Sequence, residues 1–426
     1  MSRHETIDIR QVRVGLFVTL DLPWLKHPFP TNSFKIRHEH QLEVLRRLGM
    51  ATVRFDPDRS DCAPLEQAAA EVAAVSEPPE VSEQELAVIR EKQERLERLQ
   101  EHRESVIRCE KKLLEAAATM KQLNREIFHR PQETLRAAVD LVEQMAGAML
   151  GQRDISIHSL NDKIGGEDVY FHSLNVSVLS MMLGKELELP DTSIKLLGLG
   201  ALFHDLGKTK VPDKVLRKVG SLTVAEKRFL EQHPLYGEEM AGRLGMPHRV
   251  LDIIRHHHEC SDGTGYPDRQ SGDGIAELSR IVAVVNTFDN LCNPVNPDRA
   301  LTPYEAISTM FARLRAKFDP VVLTTFIKYL GVYPPGTIVR LRNDLWGIVV
   351  SVNTRSPTKP QVLVYDPEVP KTEAVILNTD DDPDLIIGKT FRPTQIPSDV
   401  YDYLSPRKRV VYYLDETSPR SEGAGP

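Results

Sequence analysis

Apolar and polar positions alternate over Gln11–Leu20 and again over Ala51–Phe55, and between them His38–Leu48 repeats apolar residues at helical spacing. These patterns predict a small α+β unit over residues 1–56. The piece Trp24–Pro30 (WLKHPFP) is too rich in proline and aromatic residues to follow either period. From Asp56 to about Val81 the composition turns to Asp, Glu, Pro, Ala and Ser, which predicts a linker over 57–81. A long charged helix is expected over 82–130. Ile89, Leu96, Leu99, Val106, Leu113, Ala117, Met120 and Ile127 fall at heptad-like positions, interrupted by Arg103, Glu110 and Asn124. That seam fits a parallel homodimer through 82–127, or equally a helix folded back on its own domain.

From 131 to 332 the pattern is almost entirely helical, broken by Gly and Pro turns. Thr223 with Glu226 has the spacing of a capping box ahead of a helix that runs through Phe229. Beyond Pro334 the period changes to that of strands: Thr337–Arg342, Trp346–Val352, Gln361–Tyr365 and Ala374–Leu377. This predicts a small β unit over 333–414 and a polar, disordered tail over 415–426.

The 426 residues carry a formal net charge of −7, so the overall field does not favour DNA, and an anionic ligand would need a local cluster of positive charge or metal. The four cysteines, Cys62, Cys109, Cys260 and Cys292, form no CxxC pair, which argues against a zinc ribbon or a disulfide framework and fits a reducing compartment. The first residues lack the apolar core of a signal peptide, and no run approaches the roughly 20 apolar residues that span a bilayer. A cytoplasmic protein without a membrane partner is expected. No receiver-domain pattern is present, so no phosphorylation input is expected from the chain itself.

Histidine changes the picture. His172 opens a helical stretch, and His204 and Asp205 end an apolar one. His233 precedes Pro234, and His257 and His258 end a further helix before ECSDGTGYP. A single helical histidine is more often a surface or satisfied core residue than a ligand. Five histidines and one aspartate spread over four helices, each beside an apolar face, are harder to dismiss. Imidazole and carboxylate together suit Fe, Mn, Zn or Ni.

His172, His204-Asp205, Gly207-Lys208, His233-Pro234, His257-His258-Glu259 and Asp262–Pro267 (DGTGYP) stand in the order and spacing of the HD-GYP family, which the region from about 160 to 330 resembles. The N-terminal unit with WLKHPFP resembles a domain of unknown function that commonly precedes HD-GYP domains. The resemblance implies a mainly α fold: an HD-superfamily helical bundle with a small N-terminal α+β unit and a small C-terminal β unit. It implies hydrolysis of cyclic di-GMP, to the linear dinucleotide or to GMP, by two divalent metal ions, iron or manganese.

Carried over by position, one metal would be held by His172, His204, Asp205 and residue 286, and the other by His233, His257 and His258, with Asp205 bridging. Two cations about 3.5–4 Å apart can bind a phosphodiester oxygen, activate water and stabilise an in-line displacement. Lys208 would reach the scissile phosphate from the same helix face as His204. Gly265, Tyr266 and Pro267 would border the substrate, and Arg299 would offer a phosphate contact. Asp168, four residues before His172, occupies the position of a carboxylate found in members with a third metal. It equally suits an acidic helix start, as does Glu167.

The departure is Asn286, where the family has Asp; Asp289 is kept on the same face. An amide carbonyl can coordinate but brings no negative charge, so the site is expected to be weakened. The competing reading is a regulatory protein that binds a nucleotide or a signalling partner on a degenerate HD-GYP frame.

Overall fold

The computed structural model describes residues 5–22, 27, 29, 33–65, 83–150, 157–159, 168–342, 344–352, 356–367, 369–380, 385–406 and 412–414. The expected linker beyond residue 65, most of WLKHPFP and the tail after Leu414 lie outside them. The chain divides into two compact units: Met1–Glu101 with Tyr365–Ile376, and His102–Val364 with Leu377–Pro426. Among the described residues no helix is long and apolar enough to cross a membrane.

In the first unit the α+β expectation is met by more strands than the pattern predicted. β1 (Glu5–Asp8), β2 (Phe17–Thr19), β3 (Ser33–Lys35) and β4 (Thr52–Asp56) form an antiparallel sheet in the order β1-β4-β2-β3. The expected strand over Gln11–Leu20 is shorter, because Ile9–Gln11 winds into a 3-10 turn whose Arg10 amide is capped by Asp8. Strands of three or four residues give too few alternations to be read from sequence. Helix α1 (Glu39–Arg47) buries Leu42, Val44 and Leu45 in a core that includes Leu16, Val18, Ile36, Val53 and Phe55. Residues 57–65 return along this unit, with Asp61 N donating to Gly15 O and Leu65 N to Gln11 O.

Helix α2 (Glu83–Glu126) is one long element, and the division between units falls within it. In its second half Cys109, Leu113, Ala116, Ala117, Met120 and Leu123, followed by Ile127, join the core of the second unit. The seam is therefore folded back on its own domain there, and those positions are not available to a partner helix. Ile107 and Leu114 stay exposed on the other side.

The rest of that core comes from α3 (Pro131–Leu150), α4 (Asp168–Glu186), α5 (Asp191–Phe203), α8 (His233–Arg243), α9 (His248–His256), α10 (Glu277–Cys292), α11 (Pro303–Arg313) and α12 (Pro320–Leu330), while the single turn α6 (Asp213–Leu216) and α7 (Val224–Leu230) lie outside it. The capping box ahead of α7 forms as expected: Thr223 Oγ1 accepts from Glu226 N at 3.2 Å, and Glu226 Oε2 from Thr223 N at 2.7 Å.

After α12, β6 (Ile338–Leu341), β7 (Trp346–Ser351) and β8 (Gln361–Val364) make an antiparallel meander. β9 spans Val375–Asn378. Sequence reading missed β10 (Ile387–Phe391), which pairs with β6, and helix α13 (Ser398–Leu404). It also missed the pair formed by β5 (Ile157–Ser159) and β11 (Tyr412–Leu414).

Candidate metal centre

Three histidines sit at helix boundaries, and the backbone there decides how each ring is presented. His204 caps the C-terminus of α5, His257 caps that of α9, and His233 is the first residue of α8, three positions after the end of α7. The last carbonyls of a helix lack intrahelical partners. His204 Nδ1 donates to Ala201 O at 2.6 Å, His257 Nδ1 to Ile254 O at 2.8 Å and His233 Nδ1 to Leu230 O at 2.7 Å. A carbonyl can only accept, so each Nδ1 carries the proton and each neutral ring turns an Nε2 lone pair inward.

His172 is set differently. It lies in the second turn of α4 rather than opening it, and its Nδ1 donates at 2.6 Å to Asp289 Oδ2 on α10. Asp289 Oδ1 accepts from the amides of Asn175 and, at 2.9 Å, Asn293. A carboxylate behind a histidine fixes its tautomer in the manner common at metal sites. Sequence reading placed Asp289 on this helix face and gave it no role. The signal was its register, three residues after Asn286.

The inward nitrogens meet in two groups that share Asp205: His172, His204 and Asp205 in one, and Asp205, His233, His257 and His258 in the other. In each group the ligand atoms lie within 4.8 Å of one another. His172 Nε2 is 3.1 Å from His204 Nε2, and His233 Nε2 is 3.3 Å from His257 Nε2. Asp205 Oδ2 is 3.5 Å from His172 Nε2 and 3.4 Å from His204 Nε2, while Oδ1 is 3.3 Å from His233 Nε2 and 3.8 Å from His257 Nε2. Asp205 Oδ1 is buried and receives no hydrogen bond among the described residues. A carboxylate oxygen facing nitrogen lone pairs in a buried site is repulsive unless a cation lies between them, so this donor set fits metal ions.

Electrostatics at His204, His257 and His258 agree with that, whereas His172 would have to give up a proton to ligate. Burial holds His204, His257 and His258 below the ordinary imidazole range, in the neutral form that ligates. Burial opposes ionisation of Asp205 too, but His204, Lys208 and His172 outweigh it and hold the carboxyl well below its usual range. Burial alone would lower His172, yet the carboxylates of Asp205 and Asp289 raise it to about 9.

Lys208 reaches the cluster by a route the sequence did not predict. The helix ends at Phe203, and the 3-10 turn Leu206–Lys210 carries Lys208 Nζ to 2.6 Å from Asp205 Oδ2. Its side chain is 30% exposed and that of His172 15%, against 6% for Asp205, so this side of the cluster faces solvent.

Gly207 has a steric reason. A Cβ there would overlap His233 O and Gly237 N, so the turn after Asp205 can press against the start of α8 only without a side chain. That contact brings the two groups together. Gly265 is similar: a Cβ would meet Cys260 N, Glu259 Cα and His258 O, because the loop doubles back on the double histidine. Asp262 Oδ1 accepts from Thr264 N at 3.0 Å to shape this turn. Asp268 N donates to Glu259 Oε1 at 2.7 Å and closes it. The Tyr266 ring stacks on His258 with centroids 4.6 Å apart, and Pro267 follows, half-buried.

No hydrogen bond or ion pair among the described residues joins Asn286 or Arg299 to the cluster. Asn286 is buried on α10, and its Oδ1, the atom that would coordinate, accepts from Asn290 Nδ2 at 2.7 Å. Arg299 is exposed on the turn Pro297–Arg299. Asp168 begins α4, but its side chain and all of Glu167 lie outside the described residues.

Helices that converge paired histidines on one shared aspartate define a domain of the HD type. The HD domain family matches residues 159–322, and a domain of unknown function, DUF3391, matches 4–138. A cyclic di-GMP phosphodiesterase of Pseudomonas aeruginosa is 32% identical over 364 residues, 84% of this chain and 84% of the relative. The cyclic di-GMP phosphodiesterase response regulator RpfG of Xanthomonas campestris pv. campestris is 32% identical over 160 residues, 37% of this chain and 41% of its own. A 3′3′-cGAMP-specific phosphodiesterase of Vibrio cholerae is 33% identical over 164 residues, 38% of this chain and 35% of its own. Among solved structures, an HDG"Y"P protein from Bdellovibrio bacteriovorus aligns with 76% of this chain and 98% of its own, at a TM-score of 0.40 and 16% identity. The chain belongs to the HD-GYP family of the HD superfamily, with a DUF3391 domain ahead of the HD domain.

Proposed function

We propose that the chain is a metal-dependent phosphodiesterase that hydrolyses cyclic di-GMP to the linear dinucleotide or GMP. The observation that carries this reading is the shared Asp205, whose buried Oδ1 faces the lone pairs of His233 and His257 without a donor. The naming of the long relative as a cyclic di-GMP phosphodiesterase supports the substrate. His172, His204 and Asp205 would hold one divalent ion and Asp205, His233, His257 and His258 the other, iron or manganese. When bound, such ions polarise a phosphodiester and activate water.

The chain's own residues do the rest. Asp205 ties the two groups, and Asp289 holds the His172 proton on Nδ1 so that Nε2 stays available. Lys208, on the exposed side, would leave Asp205 and pair with a substrate phosphate. Tyr266 fixes the His258 ring, and Gly265 keeps the loop against it. Asn286 lowers the negative charge around the first ion, and its oxygen already accepts from Asn290. That observation favours a second reading, a regulatory protein on a weakened enzyme frame.

The deciding experiment is anaerobic purification, loading with iron or manganese, and chromatography of cyclic di-GMP and its products, with Asn286→Asp and His204→Ala alongside. Turnover by the natural protein that is lost in His204→Ala supports the enzyme. Turnover only in Asn286→Asp overturns it in favour of the regulator.

A further inference from the structure

A cavity of about 630 Å³ opens beside the end of α2, the turn Leu206–Lys210 and α8. Its volume is that of an ordinary small-molecule pocket, roughly 300–1,000 Å³. The floor is apolar, with Leu206 and Met240 both buried. Three aromatic side chains line it: Phe128, 56% exposed, Phe229, 39% exposed, and Tyr236, whose ring centroid lies 6.2 Å from that of Phe229. Large exposed aromatics gathered at one concavity offer faces for stacking a flat ring.

The charges beside them are mainly positive. Lys210 Nζ stands 6.0 Å from the Phe128 ring centroid, at the outer limit of a cation–π contact. Arg243 pairs with Glu239 one turn earlier on α8, with the guanidine side chain 76% exposed. An exposed pair of that kind contributes little, so the guanidinium can turn to a ligand at small cost.

We propose that this cavity is a second ligand site for a planar aromatic anion of the mononucleotide kind, its ring against Phe128, Phe229 and Tyr236 and its phosphate toward Lys210 and Arg243. A wholly apolar ligand would leave the two cations unused, and phosphate alone would leave the aromatic walls and apolar floor unfilled. None of these residues belongs to the histidine groups, so binding here goes beyond the phosphodiesterase reading and does not depend on it. The occupant would nonetheless touch the turn that carries Lys208 and the helix that begins with His233.

The test uses the full chain and GMP as the probe in calorimetric titration, with guanosine and inorganic phosphate as its two halves. Saturable GMP binding is expected, weakened about fivefold or more by Phe229→Ala through lost stacking and also by Lys210→Glu. Lys210→Glu reverses the charge while leaving the apolar floor in place. Guanosine should bind more weakly than GMP, and phosphate should not bind this component. Cyclic di-GMP turnover without GMP should be unchanged in both variants. Absence of GMP binding, binding unaltered in both variants, or binding lost in His257→Ala but kept in Phe229→Ala would overturn the proposal.

Discussion

Replacing Asp289 by Asn tests the geometry of the first metal group without touching a ligand. Asp289 is 1% exposed, and its two oxygens already have three donors: His172 Nδ1 on Oδ2, and the amides of Asn175 and Asn293 on Oδ1. In Asp289→Asn one oxygen becomes an NH₂ group. If that group faces His172, the ring must move its proton to Nε2 and loses the lone pair that would ligate. If it faces Asn175 and Asn293, buried donors meet a donor, at a cost of about 1–3 kcal/mol for each unsatisfied group. Loss of such a supporting partner typically weakens metal binding by about 10–100-fold, which is about 1.4–2.7 kcal/mol at 1.36 kcal/mol per decade. Manganese titration followed by calorimetry should show one site weakened by that factor and the other, at His233, His257 and His258, unchanged. Two sites of natural affinity in Asp289→Asn would refute the reasoning, and so would equal weakening of both.

Further outcomes follow from the same contacts. Gly207→Ala should destabilise the domain by about 1–3 kcal/mol, as overpacking does, and lower metal occupancy; thermal melts and metal analysis measure both. In metal-free protein His172 is raised to about 9, so the stability its proton contributes is fully present below its unfolded value near 6.5 and is lost as pH rises through about 9. Chelated protein should therefore melt lower at pH 9.5 than the metal-loaded protein by a margin that narrows toward pH 6.5. Tyr266→Phe keeps the ring that stacks on His258 and should retain metal affinity, whereas Tyr266→Ala should weaken the second group in the same titration.

Motif order was legible where a ligand sits at a helix boundary, so that apolar periodicity stops and a histidine follows, as at His204 and His257. Thr223 was readable from its spacing to Glu226. Lys208 was assigned to a helix face, but the chain tightens into a 3-10 turn after Asp205, and a local change of winding leaves no mark in composition. The three- and four-residue strands of the first unit gave no period to detect.

Residue types and their order determined a helical domain with a histidine-rich centre, since that depends only on local pattern and donor chemistry, and resemblance to the HD-GYP family implied the shared Asp205 and the departure at Asn286. Tertiary structure decided what depends on contacts between distant segments. It placed Asp289 behind His172 across 117 positions, gave Gly207 its steric reason against His233, and spent half of the long helix seam on the domain's own core. Packing partners far apart in the chain are set by the summed burial of many side chains, and no short stretch of sequence carries that sum.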